Sequence, residues 1–132
     1  MTDTLPTASA RLLRGLRLHC PDCDGRGIFS SWFTMRPACP HCHLLLDRGS
    51  RDFFIGAYLI NLIIAEVLFA TLVGSIVYAT WPAVTWDALQ YIAVVAIIVA
   101  PLTTYPFTKT LWLAFDLSFS PPTARDRATT TT

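Results

Sequence analysis

The sequence predicts a membrane all-α hairpin of two transmembrane helices with a small N-terminal zinc-ribbon or knuckle β domain. Three observations lead there. Two long stretches are almost free of charge: from Phe53 to Trp86 the only charged residue type is Glu66, and from Ala88 to Thr108 there is none. Two Cys-x-x-Cys pairs precede them, and the turn between the stretches holds no Lys or Arg. Composition agrees, since charged residues make up 14% of the chain, well below the ~25% usual in soluble proteins. A chain of 132 residues has room for one modest unit and could not hide two such stretches in a soluble core.

Residues 1–15, rich in Thr, Ala and Pro at the start, read as a disordered arm. Within the first twenty residues Asp3, Pro6, Arg11, Arg14 and Arg17 leave no space for the ~7–15-residue apolar core of a secretory signal. The first apolar helix is therefore expected to act as its own insertion signal. Leu16 to His19 alternates like a short strand and opens a small domain with its hinge, residues 16–52. Ile28 to Phe33 reads as a strand between the cysteine pairs, and Arg48 to Asp52 as a charged hinge at the membrane boundary.

The first span is expected over Phe53 to Tyr78. At ~1.5 Å per residue it measures about 39 Å, enough to cross a ~30 Å hydrocarbon core with tilt. Trp81, Pro82 and Trp86 suit an interfacial turn, with Trp81 and Trp86 as anchors. The second span begins near Ala88, and Pro101 and Pro106 predict a kink in it. Lys109, expected to snorkel, and Trp112 mark the exit from the bilayer. The helix is expected to run on along the interface to Phe119, so the hairpin covers residues 53–119. Residues 120–132, with Pro121-Pro122 and four final threonines, read as a disordered tail.

Orientation follows from the short flanks. Arg11, Arg14, Arg17, Arg26, Arg36, Arg48 and Arg51 precede the first span, and Lys109, Arg125 and Arg127 follow the second. With none in the turn, the positive-inside rule places both termini in the cytoplasm, with the chain a multi-pass protein of the cell (inner) membrane.

Cys20-Pro21-Asp22-Cys23 and Cys39-Pro40-His41-Cys42 have the spacing of a four-thiolate structural zinc site, one ion per chain. Some thirty residues outside the bilayer cannot bury enough apolar surface to fold alone, whereas structural zinc contributes ~10–16 kcal/mol in such peptides. Arg17, Arg26 and Arg36 are placed to offset the charge of four thiolates. Disulfides suit an exterior domain better than a reducing cytoplasm, and a thioredoxin-like redox pair needs a βαβ context that this chain lacks. His19, His41 and His43 flank the cysteines, either as surface residues or as substitute ligands; four cysteines already fill a tetrahedron. Zinc knuckles usually need positive φ just after the second cysteine of each pair, and Asp24 and His43 occupy those positions here.

Glu66 falls near the centre of the first span. An ionised carboxylate there costs ~2.5–3.5 kcal/mol on insertion scales, so it is expected to be protonated, paired or set against a protein neighbour. Ala70 and Gly74 share its face and permit close helix approach. Pro101 on the opposing helix frees the carbonyl of Ile97 as a partner for Glu66. Asn61 sits about 140° around the helix from Glu66 and is expected to make a separate intramembrane polar contact. Proton or cofactor handling is the functional reading of Glu66, and a helix–helix hydrogen bond the structural one.

Taken together, these features resemble the domain-of-unknown-function 983 family of small bacterial membrane proteins, its actinobacterial-type members above all. The resemblance rests on Arg14 to Leu18, Cys20-Pro21-x-Cys23, Gly25-x-Gly27-x-Phe29, Trp32-Phe33 and Cys39-Pro40-x-Cys42. It continues through Gly56-Ala57, Asn61 and Glu66, then Tyr105-Pro106-Phe107 and Thr110 to Ala114, to Asp116-Leu117, covering about residues 12–121. Family members usually carry Cys-Gly at the knuckles, where Asp24 and His43 stand here. The family has no established activity, so the resemblance implies the architecture and leaves function open.

The residues point first to a non-enzymatic adaptor or accessory subunit of a larger membrane complex. Its partners would be the lipid bilayer, a protein bound by the knuckle and a membrane complex on which the hairpin docks through Glu66, Gly56, Ala70 and Gly74. A metal or haem chaperone, or a thiol-redox assembly factor for a respiratory complex, is the rival. No nucleophile–base pair, phosphate-cradling loop or carboxylate pair speaks for an enzyme or a small-molecule substrate. No basic stripe interleaved with aromatics speaks for nucleic acid.

Overall fold

The structure is a computed structural model that describes residues 6–127. Two antiparallel helices dominate it: α2 over Ile55–Thr80 and α3 over Trp86–Phe119. Both are long and apolar enough to cross a membrane. In the most apolar 18-residue stretch of α2 no residue is buried, although its exposed side chains include Ile55, Leu59, Leu62, Ile63, Val67 and Leu68. A helix apolar on every side and exposed on most of them suits lipid rather than water. The first span begins and ends two residues later than expected, in the range where helix ends fray, and the second begins two residues earlier and ends at Phe119.

The two helices differ in length by eight residues, about 12 Å of rise. The extra length of α3 lies beyond the start of α2 and serves as a platform. Leu113 and Leu117 on it are fully buried with Cys20, Ile28, Cys39, Leu44 and Leu46, in one apolar core. The small domain is thus built onto α3. Its sheet is the hairpin of β1, Phe29–Ser31, and β2, Thr34–Met35, with Phe29 opposite Met35 and Ser31 opposite Thr34. The architecture is a zinc-ribbon-like domain joined to a helical hairpin.

Two segments expected to be disordered are ordered. Residues Ala8–Leu16 form helix α1, with the Thr7 hydroxyl accepting from the Ala10 N–H at its start. A helix of nine residues is too short to stand alone in water; this one is held by α3. The Arg11 guanidinium is buried and donates to the Leu117 carbonyl, and the Thr110 hydroxyl donates to the Gly15 carbonyl at 2.7 Å. Gly15 lets the helices touch, since a Cβ there would lie 3.1 Å from the Thr110 oxygen. The strand expected from Leu16 to His19 is absent because α1 ends there and Leu18 turns the chain with φ 58°.

At the other end, Ala124–Asp126 forms a 3-10 turn, and Arg127 pairs with Leu44 in an antiparallel bridge. The expected tail is therefore ordered through Arg127; residues 1–5 and 128–132 of the expected arm and tail lie outside the described residues. Arg48 lies between α3 and this returning segment, 3.4 Å from Asp116 and 3.7 Å from Asp126. Thr123 donates to Asp126 from its backbone N–H and its hydroxyl, and these bonds, with the Arg48 charge, hold the carboxyl below the usual carboxylate range.

Candidate metal centre

Each cysteine pair closes a turn of the same design. The Cys20 N–H donates to the Gly25 carbonyl and the Asp24 N–H to the Cys20 carbonyl, both at 2.9 Å. In the second pair the Cys39 N–H donates to the Leu44 carbonyl at 2.9 Å and the His43 N–H to the Cys39 carbonyl at 3.0 Å. Both turns require positive φ after the second cysteine, and Asp24 and His43 adopt it at 62° and 60°. A short polar side chain makes that region accessible without glycine. Gly25 is needed for another reason: a Cβ there would collide with the His41 ring.

The turns bring Cys20, Cys23, Cys39 and Cys42 together, with all four sulfurs within 4.8 Å of one another. The Cys20–Cys42 and Cys23–Cys39 separations are 3.8 and 3.7 Å. A tetrahedral Zn²⁺ at ~2.3 Å from each sulfur sets the sulfurs about 3.8 Å apart. A disulfide needs ~2.05 Å, and all four cysteines are free. The group could therefore hold a metal ion, and four sulfurs in this arrangement match the donor set of zinc. Burial pushes the Cys20 thiol up and the Cys42 thiol up to about 12. At Cys39 burial also raises the thiol, but hydrogen bonds from the Cys42 and His41 backbone and from neighbouring thiols outweigh it and the value falls. Gly25 donates its N–H to the Cys23 sulfur at 3.3 Å.

Two of the three flanking histidines are engaged elsewhere, and His43 is exposed. His19 Nδ1 lies 3.0 Å from Asp24 Oδ1, a contact that lowers the Asp24 carboxyl, and His41 packs on Gly25. Arg17, Arg26 and Arg36 are exposed. The cation that braces the first turn is Arg14, which donates to the Pro21 and Asp22 carbonyls at 3.3 and 2.9 Å. Arg127 from the returning segment lies 3.3 Å from Asp22. Neither residue had a local signal in the sequence.

A family model described as a protein of unknown function, DUF983, matches residues 29–116. The chain belongs to that family. The match takes in the hairpin, Cys39 and Cys42 and both long helices, while Cys20 and Cys23 lie before it. Comparison with curated proteins and with solved structures gave no match. For this DUF983 member, function must therefore be read from its own geometry.

The remaining sequence-predicted residues separate into distinct environments. Asn61 is buried between the spans: its amide donates to the Pro101 carbonyl at 3.2 Å, and its oxygen accepts from the Thr104 hydroxyl at 2.6 Å. Glu66 is exposed and borders a groove between the two helices that Asn61 also lines, with Ile97 and Pro101 on the facing wall. The hydrogen bond expected between Glu66 and the Ile97 carbonyl is not formed within the chain, and Gly74 has nothing within 4 Å of its Cβ position. Trp81 and Trp86 are exposed near the α2–α3 turn.

Lys109 and Trp112, expected to anchor at the interface, are held by protein. The Lys109 ammonium lies 4.8 and 4.7 Å from the centres of the Phe54 and Tyr105 rings. Trp112 donates its indole N–H to the Phe53 carbonyl at 2.6 Å and covers Gly56, which takes Gly56 out of the expected docking surface.

Proposed function

We propose that this DUF983 protein is a non-enzymatic accessory or adaptor subunit of a membrane complex, with one structural Zn²⁺ on four cysteines presented at the cytoplasmic face. The observation that carries this reading is the closed sulfur set mounted on α3. Four ligands leave no open position for a substrate or an activated water. The core shared with Leu113 and Leu117 fixes the knuckle against the hairpin, as suits a docking surface. The knuckle binds the cytoplasmic partner. The inner membrane is the assigned location, with the knuckle, the N-terminal helix and the returning segment on the inner side, in keeping with the arginine-rich flanks.

Isolation from gently solubilised membranes, with partner identification and metal analysis, tests the reading. A stable complex and about one zinc per chain are expected. One observation favours metal delivery or thiol exchange instead: Cys23 is exposed, so one sulfur is open to an incoming ligand. Rapid loss of zinc to an acceptor protein, or a mixed disulfide trapped at Cys23, would replace the adaptor role with that one.

A further inference from the structure

The tip of the β1–β2 hairpin reaches far down α3. The core of the small domain meets α3 at Leu113 and Leu117. At the tip, the Trp32 indole donates to the Leu102 carbonyl and the Phe33 ring lies against Tyr105. Along the helix, Leu102 is about 16 Å from Leu113.

The spans give the depth of that contact. Counted along α3 from Trp86, ~30 Å of hydrocarbon takes ~20 residues and ends near Pro106. Counted back along α2 from Thr80, it ends near Asn61, which bonds to Pro101 and Thr104. Together the two counts put the edge of the hydrocarbon between about Leu102 and Pro106. Trp32 is bonded at that edge.

The tip suits the place. From Gly27 to Met35 no residue is charged, and exposed Arg26 and Arg36 stand at its two ends. Trp32 and Phe33 are 48% and 50% exposed, so about half of each is left uncovered by the chain. Leu102 beside them is exposed too, as are Ile98 and Val99 one turn deeper on the same face. The uncovered aromatic surface is therefore continuous with the apolar surface of the span, which suits lipid. Trp32 has its N–H satisfied within the chain, so alkyl chains can cover the ring at no polar cost.

We propose that the β1–β2 tip is a membrane anchor, with Trp32 and Phe33 entering the lipid leaflet on the side of the small domain. Its depth is limited by the charges at its ends and by the open edges of a two-stranded hairpin, whose backbone groups need partners that deeper hydrocarbon lacks. The small domain is then held twice, by its core on α3 and by its tip in lipid, which fixes the tilt of the cysteine turns against the membrane. The proposal rests on both long helices spanning the bilayer and is independent of the adaptor role.

The test uses the full chain in phosphatidylcholine–phosphatidylglycerol vesicles. Photoreactive benzoylphenylalanine replaces Phe33, Val67 on the exposed surface of α2, or Ala124 in the returning segment. Lipid adducts, read by mass spectrometry, are expected from positions 33 and 67 and not from 124. A second measurement keeps Trp32 as the single tryptophan through Trp81→Phe, Trp86→Phe and Trp112→Phe. Its emission should be lost more to lipid brominated near the head of the acyl chain than to lipid brominated near the chain end or to aqueous iodide. Adducts from 67 without any from 33, or equal yields from 33 and 124, overturn the proposal. Emission lost to iodide and not to brominated lipid does so too, as does cross-linking of position 33 in native membranes to protein in place of lipid. Absence of lipid adducts from position 67 as well defeats the spanning assignment and the anchor with it.

Discussion

Trp32, at the tip of the β1–β2 hairpin, donates its indole N–H to the Leu102 carbonyl at 2.9 Å. That carbonyl is the one Pro106 deprives of its helical donor, so the small domain supplies the hydrogen bond that the proline removes. Trp32 also meets Phe107 edge to face at 6.2 Å, and Phe33 lies 5.6 Å from Tyr105. The knuckle is therefore docked on a membrane helix at its weakest point.

Trp32→Phe keeps the ring contact and deletes the donor. Stability in detergent should fall by about 0.5–1.5 kcal/mol, with faster amide exchange confined to α3 around residues 102–107. Unchanged exchange there would show that Trp32 does not stabilise the kinked segment.

Gly56→Ala should destabilise the hairpin by about 1–3 kcal/mol, because the new methyl group meets the Trp112 ring. Gly56→Ala combined with Trp112→Leu should lose less than the sum of the single variants. Thermal unfolding of the four proteins gives the coupling, and strict additivity would place the strain elsewhere.

Cys42→Ser should abolish stoichiometric zinc and expose the knuckle to protease while the chain remains in carbonate-washed membranes. Under the proposed zinc site the two halves would be stabilised by different physics, metal ligation in one and hydrocarbon burial of backbone in the other. Release of the variant from the membrane would contradict that division.

Cysteine introduced at Thr85, in the turn between the spans, should react with an impermeant maleimide in intact cells. Cysteine at Ala124 in the returning segment should react only after lysis. The opposite pattern would reverse the assigned orientation.

The Asp126 carboxyl is held below its unfolded value by Thr123 and Arg48. Its stabilising contribution is therefore complete above the unfolded value of ~3.9 and is lost as pH falls through the lower folded value. Asp126→Asn removes the carboxylate at neutral pH, without acidifying the cysteine cluster, and should speed exchange of the Leu45 amide that donates to the Asp126 carbonyl. An unaltered Leu45 amide would show that the carboxylate does not hold the segment.

The spans and the sulfur cluster were legible because their signals are local: runs without charge, and two cysteines three positions apart. The positive φ at Asp24 and His43 could be read from turn chemistry alone. Helix α1 was not legible because its stabilising bonds run from Arg11 to Leu117 and from Gly15 to Thr110, across 106 and 95 positions. Composition near the N-terminus suggested disorder, and only the α3 platform reverses that. The contacts of Lys109 with Phe54 and of Trp112 with Phe53 were not legible either, because they too join residues far apart in the chain. Pro106 did carry a usable signal: a freed carbonyl calls for a donor, and Trp32 is an indole donor in the small domain.

The bridge between Leu44 and Arg127, with the Arg127–Asp22 pair, sets a timetable for biosynthesis. Arg127 and Asp22 are 105 positions apart, so at ~5–20 residues per second the ribosome needs roughly 5–20 s to make the second after the first. During that interval the cysteine turns wait without their closing segment. The N-terminal domain is begun first and finished last, and under the proposed zinc site its thiols would stay open through that window to whatever delivers the ion.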